Sequence, residues 1–165
     1  MIKHLIFDWG YTLMKDFSEY SGPMVYWEKI EWVDEVVPAL DVLSKHYKCY
    51  VASNAGDSTT ELMIEAFERM NGTKYFENFF TSKDLGYEKP DKGFFEEIML
   101  KLDAIPEECI MIGNDYNKDI VGAKNAGMKT IYLCETDFEA DFIKADRIIY
   151  SMQRLISAVE ALTFY

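Results

Sequence analysis

Four groups of polar residues in this 165-residue chain sit beside short apolar runs or a turn, and together they could handle a phosphoryl group. Asp8 follows Leu5-Ile6-Phe7, and Ser53-Asn54 follow Tyr50-Val51-Ala52. Lys89 precedes Pro90, and Gly113-Asn114-Asp115, with Asp119 shortly after, follow Cys109-Ile110-Met111-Ile112. Each group alone is ambiguous, because Asp and Ser also cap helices and a Lys beside a proline turn is usually solvated. As an ordered set they offer carboxylates, a hydroxyl and an ammonium. Carboxylates distant in sequence that meet at strand ends form an oxygen-rich pocket suited to a hard cation such as Mg²⁺. A Lys and a Ser beside that cation can bind the remaining oxygens of a phosphoryl group.

The elements that must bring these residues together are legible as apolar runs of strand length alternating with segments of helical period, the pattern of a parallel sheet covered by helices. Strands are predicted at Lys3–Phe7, Lys48–Ala52, Cys109–Ile112, Thr130–Leu133 and Arg147–Tyr150, with a weaker one at Phe79–Thr81. Ser58-Thr59-Thr60-Glu61 reads as a capping box opening a helix that stops at Asn71-Gly72, and a second helix runs from Lys118 to Ala126 before Gly127. Pro38 is expected to start another, Pro90 to open the one after Lys89, and Ser151 to cap the last. In such sheets ligands bind beyond the carboxyl ends of the strands, where all four polar groups fall. The stretch 14–37 fits least well. It carries Phe17, Tyr20, Tyr26, Trp27 and Trp32, and a helix over about Met24–Val33 would gather some of them on one face. That face is read as packing on the domain, with a substrate wall, a lid or a contact between subunits of a homo-oligomer as alternatives.

Composition limits what such a pocket could serve. With 49% apolar residues, 11 Phe, 11 Tyr and 3 Trp, the chain can build a core and is not disordered. Its length matches one domain, residues 1–165. A net charge of −12 disfavours nucleic acid and acidic lipid as partners. Neither a signal peptide nor a membrane-spanning run is found, and Cys49, Cys109 and Cys134 form no C-x-x-C pair, so the expectation is a cytoplasmic protein with reduced thiols buried as small hydrophobes. His4 and His46 lack ligand-like neighbours.

The segments LIFDWGYTL, YVASN, LGYEKPDKGFF and CIMIGNDYNKDIVGAKNAGM resemble, in order, the four signature motifs of the haloacid dehalogenase-like hydrolase superfamily, most of whose members are phosphatases. The resemblance covers nearly the whole chain. It implies a Rossmann-like three-layer α/β sandwich with a mostly parallel sheet of five to six strands. It further implies a phosphomonoester, on a small molecule or a macromolecule, as substrate. Asp8 would then be the nucleophile, Ser53 would bind a phosphoryl oxygen with Asn54 and Gly10 nearby, and Lys89 would neutralise charge on nucleophile and phosphoryl group. Mg²⁺ would be held by Asp8, the carbonyl of Gly10 and the fourth segment, through Asn114 or Asp115 and, as the safer assignment, Asp119.

Three departures from the family pattern bear on activity. Gly10 stands where relatives carry a second Asp that protonates the leaving group and then activates water; Tyr11 and Asp16 are near enough in sequence to replace it. Asn114 stands where the metal motif usually has its first Asp. Only 44 residues separate Asp8 from Ser53 and 23 separate Lys89 from Gly113, too few for a full cap domain at either usual insertion point. The competing reading is a weak or vestigial phosphate-binding member. A phospho-receiver domain fits poorly, since receivers carry an acidic pair after the first strand and the acceptor Asp after the third.

Overall fold

The computed structural model describes residues 1–136 and 141–164. Six strands form one sheet: β1 (His4–Phe7), β2 (Lys48–Ser53), β3 (Asn78–Thr81), β4 (Cys109–Gly113), β5 (Lys129–Leu133) and β6 (Arg147–Ile149). Their order is β3-β2-β1-β4-β5-β6 and every neighbouring pair is parallel. All six match runs read from the sequence, and the sheet is wholly rather than mostly parallel. The helices are α1 (Val36–Leu43), α2 (Thr60–Arg69), α3 (Ser82–Leu85), α4 (Lys92–Leu102), α5 (Gly122–Asn125) and α6 (Leu155–Thr163).

Period-2 alternation along the buried strands sorts their side chains into two cores. Leu5, Phe7, Val51, Ile110, Ile112 and Ile131 pack with α1, α2 and α6, whereas Ile6, Ala52 and Met111 pack with Phe94, Phe95 and Ile98 of α4 and with Ala123 of α5. The result is three layers of helix, sheet and helix. Strand order reverses its direction of growth at β1, which is flanked by β2 and β4, so the crevice for a ligand opens beyond the carboxyl ends of these strands. Phe7 pairs with Ile112, and the Asp8 N–H continues the ladder to the Ile112 carbonyl at 2.9 Å.

Several helix starts differ from the sequence expectation. The Ser58 N–H closes a turn onto the Ala55 carbonyl, so the cap falls one residue later, on Thr59, whose hydroxyl accepts from the Leu62 N–H at 3.2 Å. Helix α1 begins at Val36, and Pro38 lies in its first turn, where a missing N–H costs no helical bond. Helix α4 is capped by Asp91 and starts at Lys92, not at Pro90. The segment expected to be helical from Lys118 instead opens at Tyr116 with a π-helical stretch, Tyr116–Val121, and passes into α5 before Gly127. Ser151 does cap the final helical segment, accepting from Gln153 N–H.

The expected helix over Met24–Val33 does not form; a single 3₁₀ turn, Met24–Tyr26, stands in its place. The backbone groups it needed are bound elsewhere. Arg69 of α2 donates to the Val25 and Trp27 carbonyls at 2.6 and 2.9 Å, Glu31 accepts from the Lys15 N–H at 2.9 Å, and Met14 bridges to Trp32. Most aromatic residues of this stretch are spent on packing, whereas Tyr26 is exposed. Trp27 stacks on Tyr20, with ring centroids 5.5 Å apart, and Trp32 packs on Phe67 and Tyr75. Phe67, fully buried on α2, also meets Trp9, Phe76 and Phe79. Phe67→Ala is expected to lower stability by about 3–5 kcal/mol through lost burial and a residual cavity. Urea unfolding checks this, and a loss under about 1 kcal/mol would show that the aromatic cluster repacks around the gap.

The three cysteines are buried and unpaired, and burial pushes the Cys49 and Cys109 thiols up to about 12, consistent with inert core residues. Among the described residues no helix is long and apolar enough to cross a membrane.

Candidate active site

Beyond the carboxyl ends of β1, β2 and β4 lies a cleft of about 560 Å³ lined by Asp8, Ser53, Asn54, Lys89, Asn114, Asp115 and Asp119 among others. The structure therefore brings together every residue that the sequence nominated. At its floor is a buried charge cluster. Lys89 Nζ donates to Asp8 Oδ1 and to Asp119 Oδ1, each at 2.7 Å, and to the Ala52 carbonyl at 3.1 Å. All three ionisable side chains are nearly enclosed, with Lys89 4% and Asp119 0% exposed. Burial works against the Lys89 ammonium, but Asp119 and Asp8 outweigh it and hold its pKa above the ordinary lysine value. Burial also raises Asp119, assisted by the charge of Asp8 and opposed by Lys89. A cluster with one ammonium between two carboxylates keeps one excess negative charge, the kind of environment that attracts a cation.

Local structure explains each placement. Asp119 sits within the π-helical stretch, its Oδ2 accepting from the Asp115 N–H at 3.1 Å. A β-carbon on Gly113 would lie 2.2 Å from that same Oδ2, so the end of β4 must be glycine for Asp119 to fit. Lys89 is positioned through its own backbone: Asn54 Oδ1 accepts from the Lys89 N–H at 2.8 Å and Asn54 Nδ2 donates to the Lys89 carbonyl at 3.2 Å. Asn54, expected at the substrate, thus spends its amide on holding the lysine loop. Ser53 Oγ accepts from the Ala55 N–H at 2.9 Å, which fixes the hydroxyl beside the cleft with its own proton free to point outward.

Thr12 is a site residue that the sequence reading passed over. Fully buried, it donates to Asp8 Oδ2 at 3.3 Å or to the Asn114 amide oxygen at 3.2 Å. The signal was present: a Thr four residues after the Asp, within the tight turn Trp9–Met14 closed by the Leu13 N–H on the Trp9 carbonyl.

The expected Mg²⁺ ligands divide into two groups. Both Asp119 oxygens face protein donors, and the Asp115 carboxylate caps the helical segment by accepting from the Lys118 N–H at 2.9 Å. Asp8 Oδ2, the Gly10 carbonyl and the Asn114 amide instead converge: turned nitrogen-inward, the amide donates to Asp8 Oδ2 at 3.1 Å and to Gly10 O at 3.3 Å. Turned oxygen-inward, it would make a third oxygen in the same cluster. Hard oxygen donors at this spacing, few in number and open to a cleft, fit Mg²⁺, which keeps several waters and substrate oxygens in its shell. Among the described residues no cluster of three or more His, Cys, Asp or Glu side chains offers a competing metal site.

Near this group, Asp16 projects into the cleft. It makes no side-chain hydrogen bond or ion pair among the described residues, and partial burial pushes its carboxyl above the ordinary aspartate value. Tyr11 lines the same cleft and holds a left-handed backbone, φ 62°, a conformation that costs a bulky residue on the order of 1–3 kcal/mol.

The chain is similar to known proteins in sequence and in fold. The family model for haloacid dehalogenase-like hydrolases matches residues 4–133. A glyceraldehyde 3-phosphate phosphatase of Methanothermobacter thermautotrophicus is 36% identical over 107 residues, covering 64% of this chain and 46% of that protein. A ribulose-1,5-bisphosphate 5-phosphatase of Halopiger xanaduensis is 34% identical over 90 residues, covering 54% and 37%. The chain thus spans less than half the length of these two relatives. In fold it is similar to the crystal structure of an uncharacterized protein from Listeria monocytogenes serotype 4b, with a TM-score of 0.87 at 22% identity over 99% of this chain and 100% of that one. The matched family model spans β1 to β5 and takes in the whole charge cluster, and on that match the chain belongs to the haloacid dehalogenase-like hydrolases.

Proposed function

We propose that this protein is a Mg²⁺-dependent phosphatase that hydrolyses a phosphomonoester through a phosphorylated Asp8. The observation that carries the reading is the buried Asp8–Lys89–Asp119 cluster opening onto the cleft. A carboxylate can attack phosphorus only if the approach of two anions is screened, and Lys89, held between the acids, supplies a permanent positive charge at that point. Asp119 keeps the ammonium charged and aimed at Asp8. Thr12 fixes the second Asp8 oxygen, and Ser53 offers a hydroxyl to a phosphoryl oxygen. Asp8, the Gly10 carbonyl and Asn114 would hold Mg²⁺, which when bound supplies further charge to offset the phosphoryl oxygens.

The substrate is proposed to be a phosphorylated small molecule, in keeping with the names of the two relatives, although the open cleft also admits a phosphorylated segment of a macromolecule. The net charge of −12 argues against a polyanion such as nucleic acid. Gly10 and Asn114 favour a second reading, a phosphate-binding protein without turnover. Incubation of the full chain with 4-nitrophenyl phosphate and a panel of phosphorylated metabolites separates the two. Turnover is expected with Mg²⁺, to vanish with EDTA and to return with excess Mg²⁺. Phosphate-dependent thermal stabilisation without any turnover would favour the binding reading and remove the enzymatic one.

A further inference from the structure

We propose that Asp16 is the proton donor and acceptor of this site, its carboxyl lying beside the space that a side chain on residue 10 would enter. A β-carbon built on Gly10 would lie 3.4 Å from Asp16 Oδ2 and 3.9 Å from Asp16 Cβ. The Asp16 carboxyl therefore borders the space into which a side chain at position 10 would extend. The chain returns it there by tertiary contacts: after the tight turn, Met14 bridges to Trp32, the Lys15 N–H bonds the Glu31 carbonyl, and Lys15 Nζ pairs with Glu31 and Asp34 at 3.2 and 3.1 Å. Neighbours thus anchor the residue while its own carboxyl has no hydrogen-bond or ion-pair partner among the described residues.

Asp16 also stands at a junction. It lines the cleft that holds Asp8, and it lines a second cavity of about 480 Å³ shared with Tyr11, Phe17, Val33, Tyr150 and Met152. Tyr11 and Asp16 line both cavities, and the second also carries Lys15, Asp34 and Glu135, so on this proposal a leaving alcohol extending from the first cavity toward the second would pass Asp16. A general acid must reach the bridging oxygen of the ester, and a residue that borders both cavities is placed to do so.

The proposal rests on the phosphatase reading. In the first step a carboxylate oxygen of Asp8 forms a bond to phosphorus while the phosphorus–alkoxy bond breaks. The electron pair leaves with the alkoxy oxygen, which takes the proton of Asp16 and departs as the alcohol. In the second step the Asp16 carboxylate takes a proton from water as that water bonds to phosphorus. The phosphorus–Asp8 bond breaks, phosphate leaves, and both acids return to their starting forms.

The test compares hydrolysis of an alkyl phosphate and of 4-nitrophenyl phosphate by the full chain with Mg²⁺. The nitrophenolate leaving group needs little protonation, so Asp16→Asn is expected to slow the alkyl ester about 10²–10⁴-fold and the aryl ester under about 10-fold. Gly10 does not hold a left-handed backbone, so an acid can be placed there without strain, and Asp16→Ala clears the space for it. The double variant Gly10→Asp with Asp16→Ala is therefore expected to recover the native ratio of alkyl to aryl rates, which a merely structural role for Asp16 would not produce. Folded Asp16→Asn protein that loses both activities equally, or neither, overturns the proposal, as does Tyr11→Phe reproducing the selective loss. If Asp16→Asn does not fold, the double variant decides, and failure to recover the ratio is then the overturning result. Native protein without any Mg²⁺-supported, Asp8-dependent turnover of either ester removes the phosphatase reading, and the role of Asp16 with it.

Discussion

Asp8→Asn is expected to abolish turnover, a fall on the order of 10⁴-fold or more, because the amide cannot form the phosphorylated intermediate that divides hydrolysis into two steps. The fold should survive. Asp8 is the first residue after a fully buried strand, and its N–H bond to Ile112 does not depend on the side chain. Burial would still raise Asp119, but the substitution removes the added push from the Asp8 charge and leaves Lys89 with one close counter-ion in place of two. Stability is therefore expected to change by less than about 1 kcal/mol, in contrast to an ordinary loss of a buried ionic partner. Steady-state rates on 4-nitrophenyl phosphate and urea unfolding check the two halves. A folded variant keeping more than a few per cent of native activity would mean that another group attacks phosphorus.

Lys89→Ala should differ in both respects. It leaves two buried carboxylates facing one another with no cation between them, and breaking a buried ion pair on one side costs about 3–5 kcal/mol. Turnover is expected to fall about 10²–10³-fold or further, since a preorganised charge aimed at the phosphoryl oxygens has been removed. The two losses are separable by assay at a temperature where the variant remains folded. The protein should also recover part of its stability as pH falls. The Asp119 pKa is already raised in the native protein, and without Lys89 it must rise further, so protonation relieves the repulsion. Unfolding free energy that drops by under 1 kcal/mol, with unchanged turnover, would contradict the central role given to the cluster.

What the sequence disclosed follows from the range over which each signal acts. The six strands were legible because buried parallel strands read as short apolar runs, and the polar residues after β1, β2 and β4 could be placed at one edge by topology alone. The helix starts were displaced by one to two residues, at Thr59 because the Ser58 N–H closes a turn onto Ala55 and at Asp91 because its side chain takes the cap. Residues 14–37 resisted for a physical reason. Their backbone is satisfied by Arg69, Lys15 and Leu13, partners that periodicity cannot reveal. Two further facts are likewise tertiary: Asn54 holds the backbone of a residue 35 positions away, and Asp16 returns over Gly10. Thr12 was readable and was overlooked.

The anchoring of the aromatic stretch sets the kinetic character of the site. Arg69 grips two of its carbonyls, Trp32 Nε1 donates to the Met70 carbonyl at 3.3 Å, and Trp27 Nε1 to Gly22 at 3.0 Å. All of the first three bonds run to the end of α2, the helix that leaves the sheet just after Ser53. Tyr20, Met24 and Trp27 line the cleft, so this wall is tied to the same helix that follows β2, the strand that ends at Ser53. A wall tied in this way is expected to stay in place as substrate enters and product leaves. Association and product escape then proceed by diffusion through a standing opening, without a slow gating step of the kind that limits lidded enzymes. Solvent viscosity should consequently slow substrate capture and product escape alike, and an intermediate on Asp8, if formed as proposed, would stay within reach of bulk water throughout its lifetime.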